Sequence, residues 1–326
     1  MKAWVQHSYG DEDTLRLEEV PAPSIGDDDV LVRVHAAGLN AADVHLMTGK
    51  PYLVRLVKGL RRPRVPTLGT DFAGVVERVG TSVTHVAVGD RVMGEVDRGS
   101  LAELVAAPAK NVWPQPAGAT DAESAALPMT GFTALQALRD SDLRAGDRVL
   151  VNGASSGVGI AVVQVAVARG AKVVGVCSGR NADLVRSLGA IDVVDYTTED
   201  FTDTTERYDV IIDIVSTKPL SRCRAIVAPG GRIVIVGAVT KGRWMGMGRQ
   251  MFAMVTSPVT KGSVRVTMAG IGQGDLETVA AMAERGELRP VIDTVYPFDE
   301  APDAVRHVHG GHARGKVVVQ VRPQDD

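Results

Sequence analysis

Residues Asp147 to Val165, DRVLVNGASSGVGIAVVQV, constrain the fold of this chain more than any other stretch. An apolar run, Val149-Leu150-Val151, enters a turn of small residues, and the turn opens a second apolar segment, Ile160 to Ala168, with helical spacing. A strand that ends in a glycine turn and feeds a helix N-terminus makes an anion cradle. The helix dipole and its unpaired N–H groups face the turn, and small side chains let a pyrophosphate approach the backbone. Such a unit belongs in a parallel α/β sheet.

The rest of the composition narrows the possibilities. The 326 residues suffice for two domains with ample cores. A formal net charge of −3 gives no general reason to expect nucleic acid, and 4% aromatic residues leave little for base stacking. The only two cysteines, Cys177 and Cys223, lie far apart and form no CxxC pair, so a disulfide framework is excluded and a reducing compartment fits. MKAWVQHSYG lacks the apolar core of a signal peptide, and no run of about 18 apolar residues exists. A cytoplasmic protein without membrane spans is the expectation.

Up to about residue 120 the chain reads as short strands broken by Gly, Pro and Asp: Val30–Ala36, Phe72–Val79, Asp90–Met93 and Leu101–Ala106. This spacing suggests antiparallel β structure, a partly open barrel. From Asp121 a helix continues through Leu127–Leu138, and strands then alternate with helices. The strands are Arg148–Asn152, Lys172–Cys177, Asp192–Asp195, Val210–Ile214, Arg232–Gly237 and Ser263–Met268. Helices at Ile160–Ala168, Ala182–Leu188 and Pro219–Ile226 lie between them, which predicts a doubly wound, mainly parallel sheet. A mixed tail follows, with helices at Leu276–Arg285 and Ala301–His307 and strands at Val291–Tyr296 and Lys316–Val321.

The turn itself, Gly153-Ala154-Ser155-Ser156-Gly157-Val158-Gly159, is an incomplete dinucleotide fingerprint in the right strand–turn–helix context. The same residues match GxSxG, the nucleophile elbow of α/β-hydrolases, for which Asp213 and His312 are the nominal triad partners. That reading needs half a parallel sheet upstream, which the β-rich beginning does not offer. The strand Lys172–Cys177 then ends in Ser178-Gly179-Arg180-Asn181, with no acid to hold a ribose 2′-hydroxyl before Asp183. Ser178 and Arg180 suit a 2′-phosphate instead, the alternative for Arg180 being a solvated loop cation.

Across nearly its whole length the chain resembles the medium-chain dehydrogenase/reductase superfamily, and within it the zinc-free quinone oxidoreductases related to zeta-crystallin. The segments that carry the likeness are VLVRVHAAGLNAADVHLMTGKPY, VPTLGTDFAGVVERVG, VGDRVMG, ALPMTGFTALQAL, the cradle, GVCSGRNADLVRSLGAIDVVDY and GGHARGKVVVQV. The resemblance implies a GroES-like, partly open β-barrel catalytic domain from residues 1–122 and 270–326, with a Rossmann NADP-binding domain inserted at 123–269. The departures from the zinc alcohol dehydrogenases are informative. Asn40 stands at the catalytic-zinc cysteine, Gly69-Thr70-Asp71 replaces the GHE motif, and Ala42 stands at the relay hydroxyl, although His45 matches the relay histidine. The four-cysteine structural-zinc loop is missing, so no metal is expected.

Without a metal acid, conjugated acceptors become the easier substrates, because quinones and α,β-unsaturated carbonyls spread the charge that arrives with a hydride. The expectation is therefore hydride transfer from NADPH to such an acceptor, positioned in a pocket of Asn40, Asp43 and Tyr52. By resemblance Asn40 donates to the acceptor oxygen. Tyr52 donates or stacks, unless it is an ordinary loop aromatic, and Asp43 organises the loop. Thr133 matches the position that supports the nicotinamide. Tyr196, Ser216, Gly237 and Ala238 fall at or near strand ends where cofactor lies, and Arg314 and Lys316 match a closing segment that reaches it. Met245, Met247, Met251 and Met254, near Trp244 and Phe252, form either a substrate lid or a core or dimer-facing helix. The basic run Arg55, Lys58, Arg61, Arg62, Arg64 reads as a solvated loop, the alternative being a contact with an anionic partner or membrane surface. The 263–268 strand resembles the family's dimer edge, which implies a homodimer. The alternatives are a zinc-independent alcohol dehydrogenase or carbonyl reductase, and a non-catalytic NADPH-binding structural protein.

Overall fold

A computed structural model describes residues 1–237, 263–267, 270–272 and 274–322. The expectations for Ala238, for Met268 and for the methionine-rich segment with Trp244 and Phe252 lie outside the described residues. The chain divides into two compact units. The first comprises Met1–Met129, Ile271–Gly286 and Pro290–Asp326, and the second Thr130–Gly270 and Glu287–Arg289.

In chain order the early elements are β1 (Lys2–Val5), β2 (Arg16–Glu19), β3 (Asp29–Leu39), α1 (Ala41–Thr48), α2 (Leu53–Lys58) and β4 (Asp71–Val79). They continue with β5 (Arg91–Glu95), β6 (Leu104–Pro108), β7 (Val112–Pro114), α3 (Asp121–Ala125) and α4 (Pro128–Asp140). Next come β8 (Arg148–Asn152), α5 (Gly157–Ala168), β9 (Lys172–Cys177), α6 (Ala182–Ser187), β10 (Asp192–Asp195), β11 (Tyr208–Asp213), α7 (Leu220–Ala225), β12 (Val227–Val236) and β13 (Ser263–Thr267). The tail holds α8 (Asp275–Glu284), β14 (Ile292–Pro297), α9 (Ala301–His309) and β15 (Lys316–Gln320).

The first unit is built on a mixed sheet ordered β14-β15-β3-β4-β5-β7, with β6 also on β3. The long strand β3 changes partner along one edge. Its residues 29–33 pair with β6 and its residues 36–39 with β15, both antiparallel. Irregular register against β4 at Leu31/Val32 and Val34/Ala36 bends the strand there, as bulges do. The apolar face encloses Phe72, Met47, Leu68, Leu101, Val317 and Val319, and α9 adds Ala301, Ala304 and Val305. Two helices, α1 and α2, interrupt a region that the sequence reads as strands and turns. The long helix expected from Asp121 is two helices, because Pro128 cannot donate the N–H that would continue α3. Helix α3 packs on β3 and β4, so the first unit runs on to Met129 rather than ending at 122.

In the second unit six parallel strands follow the order β10-β9-β8-β11-β12-β13, the doubly wound arrangement that the strand–helix alternation predicts. Its core gathers Leu150, Val174, Val176, Ile211, Ile233 and Ile235. Residues 287–289 join this unit because Gln164 of α5 exchanges hydrogen bonds with the backbone of Arg289 in both directions. Among the described residues, no helix is long and apolar enough to cross a membrane.

Candidate functional site

In the second unit, β8 sits where the strand order reverses, so a crevice opens beyond its carboxyl end. Gly153 leaves the strand with φ +94°, a left-handed conformation that glycine adopts without strain. The N–H groups of Gly153 and Ala154 both donate to Val176 O on β9, which ties the turn to the sheet. Ser156 caps α5: its Oγ donates to Gly153 O at 2.8 Å and accepts from Gly159 N at 3.1 Å. A Cβ on Gly159 would lie 2.0 Å from Gly153 O, so the third position of the fingerprint must be glycine for the helix to approach the strand.

Ser155 is bound up in the same turn. Asn181, 5% exposed, donates from Nδ2 to Ser155 Oγ at 3.1 Å and to Ser178 Oγ at 3.3 Å, which gathers the hydroxyls of two turns. The nucleophile elbow, the reading that the sequence disfavours, finds no triad partner within the second unit. All seven histidines of the chain fall in the first unit's segments, so the second unit has none to activate Ser155, and Asp213 is bound to Asn152 Nδ2 and Ser216 N at 2.8 Å each.

The remaining cofactor candidates of this unit lie as follows. Arg180 is exposed on a short 3-10 turn after β9. Thr133 is 3% exposed on α4, and its Oγ1 is buried without a hydrogen-bond partner among the described residues. Tyr196 is 56% exposed after β10, Ser216 follows β11 with φ +54°, and Gly237 follows β12 with φ +77°. One neighbour escaped the sequence reading. Asp195, at the end of β10, accepts from Thr197 N and Oγ1 through Oδ1, while its Oδ2 would be 2.3 Å from a Cβ on Gly179. A Cβ on Gly179 would require that carboxylate to shift.

The first unit carries a buried polar cluster where β3, α1, β4 and β15 meet. Lys316, 4% exposed, donates from Nζ to Asn40 Oδ1 at 2.7 Å, Leu39 O at 2.9 Å and Asp71 Oδ2 at 3.2 Å. Asn40 in turn donates from Nδ2 to Asp71 Oδ2 at 2.9 Å and Thr70 Oγ1 at 3.1 Å. Both amide hydrogens are thus directed to Thr70 and Asp71, where the resemblance implies donation to an acceptor oxygen. Lys316 makes its three side-chain hydrogen bonds within this network. The expected loop-organising role of Asp43 has a geometric basis, since its Oδ2 accepts from Asn40 N at 2.8 Å at the start of α1. Tyr52 precedes α2 with the Arg55 guanidinium 4.7 Å from its ring centre. Arg314 is exposed and is anchored through its N–H to Asp293 at 2.9 Å.

Electrostatics separates the acids of this cluster. Burial is the main cause that pushes Asp43 up to about 7, with the Asp71 charge adding to it. Burial raises Asp71 too, opposed by Lys316, Asn40 and the Met129 N–H. Glu95, opposite Asp71 in the β4–β5 ladder, is pushed up to about 8 by burial and by the charges of Asp71, Asp97 and Asp43. Arg98 balances part of this acidity. Its Nε donates to Thr67 O and its Nη1 to Leu46 O, while Nη2 is buried without a partner. Glu95 and Arg98 carry no motif, and their relevance appears only once the strands are paired. Among the described residues, no three His, Cys, Asp or Glu side chains are grouped to hold a metal.

The raised Asp43 pKa fixes a pH dependence. Between about pH 4 and pH 7 the folded chain keeps a proton that the unfolded chain has released, so this residue's contribution to stability falls as pH rises. Asp43→Asn, measured by urea unfolding, is expected to gain about 2–3 kcal/mol on the unaltered chain between pH 5 and pH 8. A constant difference would show that Asp43 ionises as an ordinary carboxylate.

Comparison with known proteins bears on both units. The alcohol dehydrogenase GroES-like domain family matches residues 26–117, and the zinc-binding dehydrogenase family matches 188–319. The 2-methylene-furan-3-one reductase of Solanum lycopersicum is 34% identical over 99% of this chain and 80% of its own length. The chain belongs to the medium-chain dehydrogenase/reductase superfamily. It is an oxidoreductase of that superfamily. The chloroplastic NADPH-dependent alkenal/one oxidoreductase of Arabidopsis thaliana is 33% identical over 99% of this chain and 80% of its own. The structure of the quinone oxidoreductase from Coxiella burnetii superposes with a TM-score of 0.85 at 29% identity, covering 99% of each chain.

Proposed function

We propose that this member of the superfamily reduces α,β-unsaturated carbonyls or quinones with NADPH and without a metal. One observation carries the proposal: the Lys316 ammonium is seated between Asn40 and Asp71. By the resemblance, Asn40 stands where the zinc enzymes of the superfamily place a ligand cysteine, and Asp71 directly follows Thr70, which stands where they place the ligand histidine. A fixed cation there repels a second one, so the site favours acceptors that need no Lewis acid. The relatives named for alkenals, furanones and quinones act on such conjugated carbonyls, which supports the same reading.

The second unit's residues fit a dinucleotide. Gly153 and Gly159 clear the turn for a pyrophosphate, and the Thr133 hydroxyl is available to a ring amide. Ser178 and Arg180 receive a 2′-phosphate at the end of β9. When bound, NADPH supplies the hydride.

Purified protein incubated with NADPH and a panel of quinones, enones and saturated ketones tests the reaction class. Turnover of the conjugated acceptors alone is expected. Preference for saturated ketones, or cofactor binding without any turnover, would overturn the proposal. NADPH is expected to bind at least tenfold more tightly than NADH, and Arg180→Glu to abolish the difference, since charge-assisted contacts to a phosphate are each worth about 1.5–3 kcal/mol. Equal affinities in the unaltered protein would show that Arg180 is a surface cation only.

A further inference from the structure

Helix α2 is amphipathic with its faces reversed. Leu53, Leu56 and Val57, at the i, i+3, i+4 spacing of one helical face, are 45%, 64% and 65% exposed. Its cations turn inward. Arg55 lies 4.6 Å from the Tyr9 ring centre and donates to Gly49 O and Thr48 O, and Lys58 pairs with Asp97 at 2.7 Å. The exposed strip continues into the following loop with Leu60 at 66% and Val65 at 46%. Exposed Arg61, Arg62 and Arg64 lie between these two residues, and no acidic residue occurs from Val44 to Thr70. The sequence reads this stretch as a solvated loop. A solvated loop does not anchor its cations on the protein and present its leucines to water.

We infer that the surface formed by α2 and residues 59–65 binds an anionic lipid bilayer. Apolar side chains that project beside exposed arginines match the acyl region and the headgroup charge of such a membrane together. The charge argues against a second copy on the same face, because a two-fold contact would bring the arginines of both copies together. The inference concerns attachment to the surface and does not depend on which acceptor is reduced.

Flotation of the full chain with phosphatidylcholine vesicles, with and without phosphatidylglycerol, tests it. Binding is expected only to the anionic vesicles and is lost at high salt. Leu56→Ser with Val57→Ser should weaken partitioning about tenfold or more. Arg61→Gln with Arg62→Gln should weaken it about fivefold per arginine removed. Thermal melting of each variant should match the unaltered chain, since the replaced side chains are exposed. Failure to float with anionic vesicles, or flotation that neither variant changes, overturns the inference. So does a dimer in light scattering that Leu56→Ser dissolves without any vesicle binding, which would assign the face to a second copy.

Discussion

Lys316→Met is expected to destabilise the first unit by about 3–5 kcal/mol, the usual cost of leaving one member of a buried ion pair without the other. The ammonium has three buried acceptors, and Asp71 is fully buried, so neither water nor a side-chain movement offers a substitute. The loss should shrink at acid pH, where Asp71 takes up a proton and no charge remains uncompensated. Adding Asp71→Asn should recover much of the stability at pH 7, because a neutral amide in that place needs no cation. Urea unfolding of the two single variants and the double variant provides the measurement. Two independent, additive losses would show that the pair is not coupled, and the reading of Lys316 as a cation fixed between Asn40 and Asp71 would fall with it.

Gly159→Ala is expected to abolish measurable NADPH binding and to cost about 1–3 kcal/mol of stability through overpacking. The added methyl would meet Gly153 O at 2.0 Å and Ala154 Cα at 2.9 Å, and both are backbone atoms of the turn proposed to receive the phosphates. No rotamer change can relieve that contact. The helix must move away from the strand, and its N–H groups then leave the crevice. Ser156→Ala removes only the cap, about 1 kcal/mol, and leaves the turn in place. Calorimetric titration with NADPH separates the two. Near-normal affinity in Gly159→Ala would mean that the cofactor does not approach this turn.

The second unit was largely legible from its residues. Arg148–Asn152, Lys172–Cys177 and Asp192–Asp195 begin and end where the sequence places them, because each is an apolar run bounded by turn residues in a regular alternation with helices. The first unit was legible only in outline. Helix α1 has apolar and polar residues spread around it, so no periodic signal marks it, and α2 shows its apolar face to solvent, the opposite of what a pattern search assumes. The site divides in the same way. The cradle is contiguous in sequence and announces itself. The cluster of Asn40, Thr70, Asp71, Glu95 and Lys316 is assembled by pairing β3 with β15 and β4 with β5, and no spacing along the chain encodes those contacts. The motif around Lys316 does not reveal that its ammonium meets Asn40 and Asp71, because that contact depends on a strand pairing.

The pairing of β3 with β15 also sets an order of events during synthesis. Asp71 is joined to an ammonium that comes 245 residues later in the chain. At about 5–20 residues per second, the ribosome needs roughly 12–50 s to deliver it. The strands from β8 to β12 are complete well before that, and they can close their own sheet while the first unit still lacks one edge of its central strand. During that interval Asp71 remains hydrated or protonated, and residues 36–39 of β3 offer unpaired backbone to any other strand. The last stretch of the chain thus both completes the sheet and neutralises its most deeply buried acid.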